Sequence, residues 1–283
     1  MTMNPYRTQK IAFSFLFLAN LLILLLVGFV VVIIVEKGLP AITWRFLTDV
    51  PRQGMRAGGI FPAIVGTLYL VGGAIIFALP IGLLAAIYLS EYARDTVLTR
   101  LIKLAIVNLA GVPSVVYGLF GLALFVVFFK FGASILSGSL TLGIMILPLI
   151  ITASREALES VPQSFREVSL SLGASKWQTI QHIVLPNAIP GVLTGTILGL
   201  GRAAGETAPI LFTVAAFYLP QLPGSIYDQA MALPYHLYVI STQVPNVDEK
   251  TRYGTAFVLL ALVLTMNLVA IIIRYKFRMR KKW

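Results

Sequence analysis

The 283-residue sequence has no cysteine and only two histidines, His182 and His236, so disulfide frameworks and Cys or multi-His metal sites are excluded by inventory. Charge is scarce: 12% of residues are Asp, Glu, Lys or Arg, against 58% hydrophobic. So little charge in a chain of ordinary domain length argues against a water-soluble globule and for an all-α integral membrane protein. No Gly-x-x-x-x-Gly-Lys-Ser/Thr phosphate loop, His-Glu-x-x-His pair or Gly-x-Ser-x-Gly elbow occurs, so no reaction is assigned to the chain itself. Acidic residues are fewest, 11 against 22 Lys and Arg, but long uncharged stretches separate the basic ones. The excess therefore reports membrane topology and not a nucleic-acid footprint.

A bilayer core about 30 Å thick needs about 20 apolar helical residues. Ile11 to Val35 carries no charge and continues into Glu36-Lys37 without a small-residue cleavage site, so it reads as an uncleaved first span. Five more follow: Ile60 to Ser90, Leu104 to Phe129, Phe131 to Ala153, Gly191 to Ala216 and Thr255 to Ile273. Six spans put both termini on one side. That side holds fourteen Lys and Arg against seven on the other, with Arg202 inside span five, so the termini are expected in the cytoplasm. The basic run from Arg274 to Trp283 reads as an anchor against anionic lipid. Gly72, Gly73 and Pro80 in the second span, and Gly111, Pro113 and Gly118 in the third, predict kinked helices covered by neighbours.

The segment 154–190, between spans four and five, is less apolar and repeats Leu158, Val161, Phe165, Val168 and Leu172 at helical spacing. Pro162 suits a first turn, Gly173 a helix end, and Ser175-Lys-Trp-Gln178 a capping box that opens a second helix, with Pro186 expected to end it. Trp177, Ile180 and Val184 form a second apolar stripe. The hairpin could pack back on its own bundle, lie in the headgroups or seat in a partner. Its Glu167, the Gly173 six positions later and Ile183-Val-Leu185-Pro186 resemble the EAA loop of ABC-importer permeases, with Val168 and Ser169 where that loop usually has alanines. The resemblance implies docking of Glu167, Gly173, Ile183, Leu185 and Pro186 to a cytoplasmic ATPase. That partner would hold the ATP and magnesium.

Within span five, Arg202 and Glu206 are ionisable residues at membrane depth, each costing at least about 2.5 kcal/mol on insertion scales. On a straight helix from Gly191, they share one stripe with Gly195, Gly199 and Pro209. Glycines at that spacing let another backbone approach, so Gly191, Gly195 and Gly199 are expected to pack a helix or a second subunit. The charged pair could simply staple the bundle or could meet a solute.

The run Gly201-Arg-Ala-Ala-Gly205-Glu-Thr-Ala-Pro209 resembles phosphate ABC-importer permeases, its Glu-Thr-Ala-Pro ending being closer to the PstA kind than to PstC. Gly66-Thr-Leu, Pro80 to Tyr92, Gly111-Val-Pro-Ser114 and Tyr117-Gly-Leu-Phe-Gly121 are similar to the same family. The resemblance implies a type I, MetI-like permease with Arg202 and Glu206 in the phosphate path and both termini inside a bacterial inner membrane. It also implies a PstC-like second permease, a PstB-like ATPase and a PstS-like phosphate-binding protein. The last would meet the Pro- and Tyr-rich segment 217–253 on the outside. Competing readings are a permease for another solute, a secondary transporter or channel that leaves the Glu167 hairpin unoccupied, and a membrane scaffold.

Overall fold

The computed structural model describes residues 5–279. Among them five helical runs are long and apolar enough to cross a membrane, six if one bent pair counts as a span. The first is α1 (Pro5–Gly38), followed by the short α2 (Trp44–Thr48) and a small antiparallel pair, β1 (Pro51–Arg52) with β2 (Ala57–Gly58). Next come α3 (Phe61–Ile87), prolonged by a π-turn to Tyr92, then α4 (Val97–Ala110) and α5 (Ser114–Gly121), the latter prolonged to Phe128. A long α6 (Ile135–Glu159) leads to the hairpin of α7 (Gln163–Ser171) and α8 (Lys176–Thr179). The chain returns through α9 (Leu185–Gly205) and α10 (Ala208–Thr213), and closes with α11 (Leu233–Thr242) and α12 (Glu249–Met279).

Helices α3, α6 and α9 form the centre, with Leu70, Ala74, Ala78, Leu142, Met145, Ile146 and Ile150 buried among them. Lipid is as apolar as leucine, so close packing by small residues, not expulsion from water, must hold such helices together. Gly191 and Gly195 do this: a Cβ on either would collide with Ala157 or Ala153 of α6. Gly199 sits in ordinary contact with Ile146. Helix α1 packs beside α12, and no residue of its spanning window is buried.

Three of the expected spans differ from what is observed. The third is two helices, α4 and α5, meeting at 102°. Pro113 is extended (ψ 140°) and has no N–H to continue the ladder, so the helix stops at Gly111 and restarts at Ser114. The fourth starts at Ile135, where Ser134 caps it by accepting from the Ser137 N–H, because Lys130 and Gly132 have already turned the chain at positive φ. It then runs to Glu159, so the connecting segment begins at Ser160 and not at 154. The fifth ends at Gly205 instead of 216, since the Pro209 ring cannot follow a helix past the carbonyl four residues before it.

Pro186 does not end a helix either. Lys176–Gly205 is one helical run, and the π-turn Ile180–Val184 just before Pro186 widens the ladder where the proline withholds a donor. Asn187 helps by donating its side-chain amide to the Ile183 carbonyl at 2.7 Å.

At the end of the bundle opposite the hairpin, the first loop and the segment before α12 fold onto each other. Tyr218 donates to the Pro51 carbonyl at 3.1 Å, and the Leu233 N–H donates to Thr67 of α3 at 2.8 Å. Thus α11 is a packed helix, with Leu233, Val239 and Ile240 in the main core. Of the basic C-terminal run, residues 280–283 lie outside the described residues.

Candidate functional site

Two places carry chemistry that packing alone does not require. The first is the break in α9. Glycines on one face of α9 run antiparallel along α6, from Ala157 opposite Gly191 to Ile146 opposite Gly199. Next to Arg202, Gly201 lies against Asn267, well inside α12, so the Arg202–Glu206 pair sits within the bundle and not at its end. Three residues past Arg202 the helix ends, and Glu206 is extended at φ −76° and ψ 136°. Glu206 and Pro209 therefore leave the glycine stripe that a straight helix would have given them.

The pair survives the break in a looser form. Arg202 Nε lies 3.5 Å from Glu206 Oε1, with the side chains 33% and 18% exposed. No hydrogen bond reaches the two Nη groups of Arg202 among the described residues. A guanidinium held by one long ion pair, with forked donors still open, can take a planar or tetrahedral oxyanion in place of the carboxylate.

Tyr117 of α5 lies close enough to feel the Arg202 charge. Its hydroxyl donates to the Leu109 carbonyl at 2.8 Å, which ties the bend between α4 and α5 to this region. Gly118 permits the approach, since a Cβ there would strike Phe212 and Ala208 of α10. Sequence reasoning singled out the Tyr117 segment by resemblance only; no local pattern gives its proximity to Arg202.

The second place is the hairpin. Ser175 and Gln178 form a reciprocal capping box, and Gly173 takes the left-handed conformation at φ 85° between the two helices. The apolar stripe divides. Leu158, Val161, Ile180 and Val184 are buried in a second cluster with Ala86 and Ile87 of α3. Val168, at 60%, and Leu172, at 83%, are exposed, as are Glu167, Gly173 and Trp177. A cleft of about 630 Å³ runs between Phe165, Val168, Leu172 and Ile183. Leu185 is half-buried and Pro186 exposed beside it.

One anchoring feature went unread in the sequence. Arg166 of the hairpin meets Glu91 at the end of α3, with Nη2 2.7 Å from Oε1, although 75 residues separate them.

The arrangement is that of a multi-pass helical membrane protein with an ion pair at a broken helix and an uncovered apolar hairpin. Comparison with known proteins gives the family. A family model described as binding-protein-dependent transport system inner membrane component matches residues 78–282. The chain is 32% identical over 283 residues to the probable ABC transporter permease protein YqgI of Bacillus subtilis (strain 168), covering 95% of each chain. It is 32% identical over 287 residues to the phosphate transport system permease protein PstA 1 of Mycobacterium tuberculosis (strain ATCC 25618 / H37Rv), covering 100% of this chain and 92% of the relative. The fold resembles a bacterial ABC transporter that imports the acidic polysaccharide alginate, with a TM-score of 0.64, 14% identity, and 95% and 96% of the two chains covered. The chain belongs to the inner membrane components of binding-protein-dependent transport systems.

Proposed function

We propose that the chain is the PstA-type permease subunit of an ATP-driven phosphate importer and forms part of the phosphate path by alternating access. The single observation that carries the reading is the Arg202–Glu206 pair, partly open at a mid-bundle helix break with guanidinium donors unfilled. The full-length likeness to permeases named for phosphate transport supports the choice of anion.

In this reading Glu206 neutralises Arg202 while the path is empty. Exchange of carboxylate for phosphate keeps the arginine paired and limits how tightly the anion is held. The exposed part of the hairpin, with Glu167, Gly173, Val168 and Leu172, seats in a PstB-like ATPase that holds ATP and magnesium. Ile183, Leu185 and Pro186 form the base of that knuckle. A PstC-like permease completes the path, and a PstS-like phosphate-binding protein docks on the end opposite the hairpin. Both termini and the hairpin face the cytoplasm of a bacterial cell, as the basic residues favour.

The test is phosphate uptake by vesicles holding the assembled complex. Arg202→Lys and Glu206→Gln should retain ATP hydrolysis and lose most uptake, the lysine variant because a point charge cannot grip two phosphate oxygens at once. Normal uptake by both would reject the assignment.

A further inference from the structure

We propose that Arg166 and Glu91 form a strut that makes α3 follow the hairpin, so that three central helices, and not only the two joined to it by the chain, receive its movement. The hairpin is covalently continuous with α6 on one side and α9 on the other, whereas α3 has no chain connection to it. Apolar contacts of Ala86 and Ile87 with Val161, Ile180 and Val184 cover the junction, but such surfaces can slide. The ion pair fixes distance and direction. Arg166 Nε and Nη2 both reach the Glu91 carboxylate, at 3.2 and 2.7 Å to Oε1, with side chains only 12% and 7% exposed.

Two further donors of Arg166 are used as well. Nη1 donates to the Val161 carbonyl at 2.7 Å and Nη2 to the Leu158 carbonyl at 2.9 Å, so one guanidinium clamps α7, the last turn of α6 and the end of α3. The Leu158 carbonyl, in the last turn of α6, otherwise accepts the Val161 N–H at a long 3.3 Å, and a cation there also complements the helix dipole. Glu91 sits on the π-turn Tyr88–Tyr92, an irregularity that re-aims side chains at a helix end. One residue on, Tyr92 carries the Lys176 ammonium 4.9 Å above its ring, a second tie to the other hairpin helix. A cleft of about 580 Å³ lies beside these ties, lined by Glu91, Arg166 and Lys176 themselves.

The strut rests on the reading of the hairpin as the ATPase's docking knuckle, and the test separates the two. The natural chain has no cysteine, so Glu91→Cys with Arg166→Cys can be joined by a short, reducible bis-methanethiosulfonate linker and released again. The full complex in vesicles is assayed for phosphate moved per ATP hydrolysed, with the parental complex alongside. Released, the double variant should lose at least about fivefold in this ratio, the low end of coupling between distant sites, and the linker should restore it. Failure to assemble that the linker reverses supports the strut too, since the same tie then holds the hairpin in place. A released variant with the parental ratio, or a loss that the linker does not reverse, overturns it. If the parental complex itself moves no phosphate with ATP, the functional reading fails and not the strut, which is then judged by linker-reversible stimulation of ATP hydrolysis.

Discussion

The Arg202 charge is offset by Glu206 at 3.5 Å, and it keeps a use because the pair is neither tight nor fully buried. His236 of α11 is the opposite case: it is buried, and its Nδ1 has no partner. Burial lowers its pKa to about 4, from the ordinary 6.5. Above pH 6.5 the ring is neutral in both folded and unfolded chains. As pH falls from 6.5 toward 4, the unfolded chain takes up a proton that the folded chain refuses, so stability drops by up to about 3 kcal/mol across that window. Thermal unfolding of the purified protein at stepwise lower pH should show this slope, and His236→Phe should flatten it. Residues whose role is set by near neighbours were legible: Ser175 and Gln178 cap each other, and Gly173 sits where a left-handed residue is needed. The pairing of Glu91 with Arg166 was not, because it exists only after distant helices meet.

Among the elements, helix packing follows the glycines. Gly195→Leu should overpack the α6–α9 seam at Ala153, cost about 1–3 kcal/mol, and lower the unfolding temperature. Gly28→Leu in α1, where a Cβ meets nothing, should leave that temperature unchanged. The hairpin gives a sharper contrast. Val168→Glu with Leu172→Glu puts charge on its exposed tip, and should weaken ATPase binding at least about tenfold in a pull-down titration. The unfolding temperature of the isolated chain should stay put, as for other surface changes. Long apolar runs made the spans easy to find, but their interruptions were read poorly. Proline chemistry alone predicts a helix end at Pro186, where a π-turn absorbs it, while a straight helix drawn through Pro209 misses the break before it. In each case the local residue was identified, and the surrounding ladder decided the outcome.

At the scale of the whole molecule, the hairpin and the helix break are joined through α9, while α3, packed on α6 but without a chain connection to the hairpin, takes up a push there through the Arg166–Glu91 tie. The asymmetry of Lys and Arg favours an orientation with the hairpin in the cytoplasm, and labelling tests it. With no native cysteine in the chain, Leu172→Cys should react with a membrane-impermeant maleimide only in inside-out vesicles, and Tyr227→Cys only in right-side-out ones. The most direct measurement is accumulation of radiolabelled phosphate in right-side-out vesicles or proteoliposomes of known orientation, with binding protein outside and ATP inside, on the hairpin side. Accumulation should require ATP on the hairpin side, run away from the binding protein, and disappear with Arg202→Lys while hydrolysis continues. Phosphate movement that is indifferent to ATP, or unaffected by the loss of Arg202, would contradict the account.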